Sequence, residues 1–293
     1  AQVAEALGPL AEAIDWSPAD PLPPGVAAVA VAADAGVERA VVERGLERRV
    51  PVACSSDDPD RVRSLLDLDD AAREAGISVA AACGLAPGLS DVLARHAAGA
   101  LEVANEVHVA RAGWAGPACA GRLHRSYKGV ALEWRDGAWV RERAGSGRQV
   151  VWFPDPVGGL DCRRAASAQA QLLVGALPRL NRVSMRVARN QAEAYRRRTR
   201  RPPEVEGDWG ATWVEVRGRR GRAEEVLVYG VVDRMGFAAG TVLGVAAGWL
   251  AGLGEPAVTQ TGVHGLGALF EPVPFLAELA GRGVTAAAFE GAR

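Results

Sequence analysis

The sequence predicts an α/β protein in which a parallel sheet is followed by a second, α+β lobe. Three short apolar runs without charged residues, at 26–33, 50–54 and 77–83, alternate with helical stretches. Such runs are typical of strands buried on both faces, and their alternation with helices predicts right-handed crossovers within a parallel sheet. From about residue 104 onwards, short runs of alternating polar and apolar residues replace this pattern, which predicts a mixed or antiparallel sheet.

The change of pattern near residue 104 also predicts two domains. We expect the first over residues 1–104 and the second over residues 105–293, with the segment from about 255 to 293 packing back on the first domain. A chain of 293 residues, of which 49% are hydrophobic, is long enough to bury a core in each.

The first domain alternates strands with helices after an opening helical stretch. Ser90 or Asp91 is expected to cap the helix that follows the third apolar run. In chain order, the predicted elements are a helix at 2–12, a brief strand at 13–16, a strand at 26–33, a helix at 36–49, a strand at 50–54, a helix at 60–76 broken in its middle, a strand at 77–83 and a helix that carries Val92, Leu93 and His96.

The second domain is predicted to contain mainly strands, with a basic exposed loop at 196–203. The expected strands lie at 107–111, 131–134, 139–141, 150–153, 183–187, 212–216, 225–232 and 284–289, and the expected helices at 163–173, 237–253 and 273–280.

The composition argues against several classes of function. A formal net charge of −1, and a basic run at 196–201 without interleaved aromatic residues, give no reason to expect nucleic acid or a membrane surface as a partner. Four cysteines without a CxxC pair favour a reducing cytoplasm over zinc sites or disulfides. The longest apolar stretch, 237–253, is too short and too rich in glycine for a membrane span, and the chain starts without a signal-peptide pattern. We therefore expect a soluble cytoplasmic protein without a metal.

A Gly/Pro-rich turn between the third strand and a helix gives the clearest indication of a binding site. Residues 83–91 read C-G-L-A-P-G-L-S-D and end the buried run 77–83. A strand, a tight turn and a helix N-terminus in this order can direct backbone N–H groups toward a ligand. Because ligands of open α/β sheets bind beyond the carboxyl ends of the strands, we expect the site beside residues 32–34, 54–56 and 84–88.

A polar cluster near the start of the second domain is the second candidate. Arg122, His124, Arg125, Tyr127 and Lys128 fall within seven residues, and Lys128 is the single lysine of the chain. Arginine can hold a carboxylate with two hydrogen bonds, and histidine can donate a proton near neutral pH. The alternative interpretation of this cluster is a solvated strand edge. For His124 alone, the alternative is a structural role.

The turn at 84–90, G-L-A-P-G-L-S, resembles the G-x-x-P-G-L-S segment of the saccharopine dehydrogenase-like oxidoreductases. Other segments resemble that family in the same chain order. Residues 26–33 resemble its strand that ends in a small-residue turn, and residues 52–56 resemble the strand that follows. Residues 153–158 (F-P-D-P-V-G) resemble its F-P-x-P-x-G segment, and residues 262–264 with 271–272 resemble its C-terminal region.

This resemblance implies a Rossmann-type domain for NAD or NADP and a second domain over the nicotinamide end. The residues expected beside the cofactor are Ala32, Ala33, Ser55, Ser56, Cys83, Gly84, Pro87 and Gly88. Catalytic roles are expected for His124, Tyr127 and Lys128, and substrate contacts for Arg122, Arg125, Asp155 and Asp161. Asp91 is expected to be a helix cap or a first-turn charge rather than a catalytic acid.

The chain departs from the family at its first βα turn. The glycine-rich turn that holds the pyrophosphate, and the residue that selects NAD or NADP, have no counterpart in the sequence. Gly265-Leu266-Gly267 is expected to be an ordinary turn, because no βαβ unit surrounds it. Residues 2–12 and 13–16 resemble the family's second helix and third strand. Roughly fifty residues, at least one βαβ unit, are therefore expected to be missing, either from the sequence given or from the protein itself.

The expected function is an NAD(P)-dependent oxidoreductase that reduces an imine or oxidises an amino acid, with a carboxylate-bearing small molecule as substrate. We expect an incomplete Rossmann-type domain, a homodimer and no metal. One alternative is a family member without dinucleotide binding that catalyses a cyclisation or isomerisation in the same cleft. A second alternative is a dimeric scaffold without catalytic activity.

Overall fold

A four-stranded parallel sheet forms one layer of the protein. The structure is a computed structural model that describes residues 8–33, 36–189 and 209–289. Strands and helices are numbered in chain order. The spatial order of this first sheet is β1 (Val29–Val31), β2 (Val52–Cys54), β3 (Ser78–Ala81) and β12 (Gly262–Gly265). The residues of β2 and β3 are buried, as expected of strands covered on both faces.

Helices cover both faces of the first sheet. On one face, the apolar side chains of Val41, Val42, Val62 and Leu65 pack against those of the strands. These helices are α1 (Glu38–Arg48), α2 (Pro59–Leu66) and α3 (Asp69–Ala75). The opposite face is covered by α4 (Leu89–Gly99) and α7 (Met235–Leu250), whose side chains belong to a second, larger core cluster. Helices on both sides of a mostly parallel sheet are typical of doubly wound α/β folds.

A larger, mixed sheet follows in the chain. Its spatial order is β13 (Ala286–Phe289), β11 (Ala223–Arg234), β10 (Trp209–Arg220), β4 (Val103–Ala112), β9 (Arg182–Ala188), β5 (Val130–Arg135) and β6 (Ala138–Arg143), with the hairpin of β7 (Gln149–Trp152) and β8 (Gly159–Arg164) paired to β9. β4 and β9 run parallel, whereas the other pairs are antiparallel. The remaining described helices are α5 (Pro117–Ser126), α6 (Gln169–Ala176), α8 (Leu266–Leu269) and α9 (Pro272–Gly281).

The predicted fold class, a parallel α/β sheet followed by a mixed sheet, is confirmed. The predicted break in the helix at 60–76 is also confirmed, because α2 ends at Leu66 and α3 begins at Asp69. The Asp58 side chain caps α2 by accepting hydrogen bonds from the N–H groups of Asp60 and Arg61. The segment 255–293 contributes β12 to the first sheet and β13 to the second. The domain boundary near residue 104 stays a prediction.

Several predicted elements were wrong. Residues 13–16 adopt irregular structure, because a few apolar residues among prolines supply little strand pairing. The helix predicted at 163–173 is the end of β8 followed by α6. The polar cluster at 122–128 lies on α5 and its C-terminal turn instead of a strand edge, and Pro117 at the start of α5 was the overlooked signal.

The predicted cap of α4 was also wrong. Gly88 occupies the N-cap position, while Ser90 and Asp91 are fully buried in the first turn. The other expectation for Asp91, a place in the first turn, is confirmed. Residues 2–7 of the predicted first helix and the loop at 196–203 lie outside the described residues. Among the helices that are described, none combines the length and the hydrophobicity needed to cross a bilayer.

Candidate functional site

A crevice opens between the carboxyl ends of β2 and β3. The turn after β2 leads to α2 on one face of the first sheet, whereas the turn after β3 leads to α4 on the opposite face. Adjacent parallel strands whose connections leave on opposite faces create the crevice in which open α/β sheets bind ligands. Its walls are the turns at 55–58 and 82–88.

The turn at 84–88 is closely packed on itself. Gly88 has a φ of 121°, and a Cβ atom there would lie 2.3 Å from the carbonyl oxygen of Gly84. The N–H groups of Leu89 and Ser90 donate to the carbonyl oxygens of Gly84 and Leu85, at 2.9 and 3.0 Å. The first N–H groups of α4 are therefore bonded within the turn and are not free to bind a phosphate.

An arginine from the second sheet closes one side of the crevice. Arg111 on β4 is 6% exposed, and its Nη1 donates to Oδ2 of Asp57 at 2.9 Å and to the carbonyl oxygen of Ala86 at 3.0 Å. One guanidinium thus joins the two turns that form the crevice. Its Nε is buried without an acceptor among the described residues.

A second arginine, from α5, reaches the same turn. Arg122 Nη2 donates to the carbonyl oxygens of Ala166, at 2.7 Å, and Asp57, at 3.2 Å. Its Nε lies 3.3 Å from the carboxylates of both Asp57 and Asp58. Two arginines and two aspartates consequently form one compact ionic cluster where β2, β4 and α5 meet.

The arginines control the charge of Asp57. Burial alone would raise the pKa of the Asp57 carboxyl, but the charges of Arg111 and Arg122 and the Arg111 hydrogen bond outweigh burial and hold that pKa below its ordinary value. Asp57 is therefore ionised at neutral pH, and its charge is compensated by the cluster.

A buried carboxyl group of a different kind lies behind the turn. Asp91 Oδ1 accepts a hydrogen bond from Gln169 Nε2, and Ser90 Oγ donates to Gln169 Oε1 at 2.9 Å. Asp91 Oδ2 is buried without a hydrogen-bond donor in the described part of the chain. Burial raises the pKa of Asp91 to about 7, although the hydrogen bond from Gln169 acts in the opposite direction.

The Asp91 carboxyl is expected to make stability pH-dependent. Its pKa of about 7 in the folded state lies above the unfolded value of about 3.9. The folded protein therefore binds more protons between these values, and the free energy of unfolding rises as pH falls from 8 to 5. Relative to Asp91→Asn, the wild type should gain about 2 kcal/mol over this range in urea unfolding. An unchanged difference between the two proteins from pH 8 to pH 5 would contradict the assignment.

The structure places all the residues expected beside the cofactor at the carboxyl ends of neighbouring strands of the first sheet. They are Ala32 and Ala33 after β1, Ser55 and Ser56 after β2, and Cys83, Gly84, Pro87 and Gly88 after β3. The Cys83 thiol is buried and donates to the carbonyl oxygen of Ala80 at 3.3 Å, and burial raises its pKa well above the usual value. Whether these residues contact a cofactor stays a prediction.

The residues expected to contact substrate or transfer protons are dispersed. Arg122 belongs to the ionic cluster, and the Tyr127 hydroxyl donates to the carbonyl oxygen of Ala188 at 2.6 Å. Arg125 and Lys128 are exposed, while His124 is half-buried on α5. Asp155 is exposed in the turn between β7 and β8, and Asp161 on β8 accepts a hydrogen bond from Arg148 at 2.9 Å. The roles of all these residues stay predictions.

Sequence reasoning missed Arg111, Asp57 and Gln169. Asp57 could have been found, because it follows a buried strand directly and carboxyl ends of parallel strands line such crevices. Arg111 was recognised only as part of a half-exposed strand, and its contact with the turns after β2 and β3 is not encoded in local periodicity.

The turns at the strand ends differ in what they offer to the two ends of a dinucleotide. Ala32, Ala33, Ser55 and Ser56, which follow β1 and β2, all have small side chains. A pyrophosphate needs free N–H groups in a glycine-rich turn, whereas the turn at 84–88 uses its own and the turn at 55–58 carries two carboxylates. The described turns therefore place small side chains where a nicotinamide ring is expected, and they do not fit a pyrophosphate.

Comparison with protein-family models and with curated proteins gave no match. Among solved structures, an apo histidine-tagged saccharopine dehydrogenase (L-Glu forming) from Saccharomyces cerevisiae is similar, with a TM-score of 0.60 and 12% identity over 86% of this chain and 82% of that chain. A homospermidine synthase from Legionella pneumophila, solved with NAD, has a TM-score of 0.58 and 11% identity over 86% and 74%. These similarities show the fold, and the resemblance predicted from the sequence is confirmed at that level.

Proposed function

We propose that this protein is an NAD(P)-linked oxidoreductase that acts on the C–N bond of an amino acid or an imine. The crevice between the turns at 55–58 and 82–88 takes the nicotinamide end, and the substrate lies against the ionic cluster from the second domain. The similarity in fold to a saccharopine dehydrogenase and to a homospermidine synthase solved with NAD supports this assignment.

The observation that carries the proposal is that the Nε–Nη2 edge of the Arg111 guanidinium makes no hydrogen bond within the described residues. Only Nη1 is bonded within the described residues, to Asp57 and to Ala86. The Nε–Nη2 edge is the side on which arginine binds a carboxylate with two parallel hydrogen bonds. A buried arginine with this edge unused is suited to anchor a substrate carboxylate.

The chain's own residues would orient the substrate and exclude water. A bound nicotinamide ring supplies or accepts the hydride, and the protein's task is then positioning and proton transfer. Arg111 fixes the carboxylate, while Asp57 keeps the guanidinium in place. His124 on α5 and Tyr127, which follows the last residue of α5, are the proposed proton-transfer groups, because α5 also carries Arg122 into the cluster.

Arg111→Lys tests the anchor. Lysine preserves a positive charge beside Asp57 but lacks the two-donor edge, so we expect the KM for a carboxylate substrate to rise by about 10- to 100-fold. The measurement is NAD- and NADP-dependent oxidation of a panel of amino acids that includes saccharopine, and the reverse, NADH- or NADPH-dependent reaction of L-glutamate or another amine with an aldehyde or a 2-oxo acid. Arg141→Lys, on exposed β6, is the matched control and should leave KM unchanged. An equal KM in wild type and Arg111→Lys would remove Arg111 from the site.

The alternative is a non-redox reaction, such as a cyclisation or isomerisation, in the same crevice. The poor fit of the described turns to a pyrophosphate favours it. Turnover of a substrate without any NAD(P) would support this alternative. We also propose a homodimer in the cytoplasm, which sedimentation of the purified protein and fractionation of cells would test.

A further inference from the structure

A groove of about 750 Å³ lies at the carboxyl end of α4, opposite the end that carries the turn at 84–88. Residues 95–104, 177–180 and 271–274 contribute its walls. The volume is typical of small-molecule sites, and so is the mostly apolar lining. The apolar residues include Leu101, Val103, Leu177, Leu180, Pro272 and Val273.

Most charged groups of the groove are already bonded within the protein. Arg95 donates to the carbonyl oxygens of Gly267 and Phe270, at 3.1 Å each, and to Glu271 at 2.7 Å. Glu102 Oε2 accepts a hydrogen bond from the N–H of Gly221 at 2.9 Å. Arg95 and Glu271 are thus paired with each other, whereas the Glu102 carboxylate is held by a backbone N–H.

The polar groups that remain are hydrogen-bond donors. Arg179 is exposed at the rim, and within the described residues it forms no hydrogen bond or ion pair. His96 contacts the ring of Tyr229 edge-on, at 5.4 Å between centroids, and in the same described ranges its ring nitrogens are without a hydrogen bond. Arg179 is consequently the cation of the groove that has no partner in the described ranges, and it lies beside apolar walls.

We propose that this groove is a second binding site, for a compact apolar molecule that carries one carboxylate. The apolar body lies against Leu101, Leu177 and Leu180, and the carboxylate accepts hydrogen bonds from Arg179 and His96. The site is separate from the crevice and does not depend on the proposed oxidoreductase function.

Calorimetric titration with decanoate tests the site, with decylammonium as the probe of equal length and opposite charge. We expect saturable one-to-one binding of decanoate, and binding of decylammonium weaker by about tenfold or more. Arg179→Glu removes the cationic donor, and Val273→Glu places a carboxylate on the rim. Both side chains are exposed, so both variants should fold. Each should weaken decanoate binding by about tenfold or more. Arg141→Glu makes the same charge change on β6 and should leave binding unchanged.

The proposal is overturned if the wild type does not bind decanoate, if the two probes bind equally, or if Arg179→Glu binds decanoate as the wild type does. The proposal is also overturned if the wild type is a dimer that does not bind decanoate and Val273→Glu dissociates this dimer. A second copy of the chain would then be the occupant of the groove. If NADH and NADPH fail to bind in the crevice between β2 and β3, the decanoate results still test the groove, because the two sites are separate.

Discussion

Arg111→Met is expected to lower the free energy of unfolding by about 3 kcal/mol or more. Methionine nearly fills the volume of the arginine stem but leaves the Asp57 carboxylate, which is 20% exposed, without its closest cation. Arg122, whose Nε lies 3.3 Å from Asp57, cannot compensate this charge alone. A largely buried carboxylate that loses its hydrogen-bonded cation is among the most destabilising changes that one substitution makes. Urea unfolding at pH 7 is the measurement, and Arg141→Met on exposed β6 should change stability by no more than about 0.5 kcal/mol.

The pH dependence of Arg111→Met identifies the cause. In the wild type, the pKa of Asp57 is lower in the folded state than in the unfolded state. The stability that ionised Asp57 contributes is therefore fully present when the pH is above the unfolded-state pKa, and it is lost as the pH falls through the folded-state pKa. Without Arg111 this loss at acidic pH should shrink. Adding Asp57→Asn to Arg111→Met should recover part of the stability, since it removes the carboxylate that has lost its hydrogen-bonded cation. A double variant less stable than Arg111→Met would contradict the ionic explanation.

Gly88→Ala is expected to destabilise the protein by about 3 kcal/mol or more. The backbone of Gly88, with φ 121° and ψ −96°, is accessible to glycine and strained for alanine. The added Cβ would also lie 2.3 Å from the carbonyl oxygen and 2.5 Å from the nitrogen of Gly84, and backbone atoms cannot move aside as a flexible side chain can.

Gly175→Ala is the matched control for Gly88→Ala. Gly175 is exposed within α6, and no atom of the described residues outside its own helix lies within 4 Å of the place that an alanine Cβ would take. Alanine there should raise stability by up to about 1 kcal/mol through its higher helix propensity. If Gly88→Ala and Gly175→Ala changed the thermal stability equally, the turn at 84–88 would have space for a Cβ atom at Gly88, which would contradict the close packing of that turn.

Strands β1, β2 and β3 of the first sheet could be predicted from the sequence because burial on both faces requires uncharged runs, as in the segment that became β3. Strand β12 was not predicted, since its four residues, G-V-H-G, form no apolar run. The long strand β10 was predicted only for its central residues, since its exposed ends are rich in arginine and glycine. Helix α5 was missed because its weakly apolar sequence follows a half-exposed strand, although Pro117 marks its start.

The site could be predicted only in part. The turn at 84–88 was recognised from its own residues, since a glycine-rich turn between a strand and a helix is a local pattern. The contacts of Arg111 with Asp57 and of Asp91 with Gln169 join residues 54 and 78 positions apart. Such pairs depend on how the two sheets pack together, which neither composition nor periodicity reveals. The same holds for the groove beside Arg179.

Calorimetric titration of NADH and NADPH against the wild type and Ser56→Trp tests most directly whether the crevice between β2 and β3 is the cofactor site. Ser56 is half-buried in the turn after β2, so a tryptophan there should fill the crevice without entering the core. We predict saturable binding of at least one of the two dinucleotides to the wild type, and loss of that binding in Ser56→Trp. Absence of binding to the wild type, or equal binding to both proteins, would contradict the assignment.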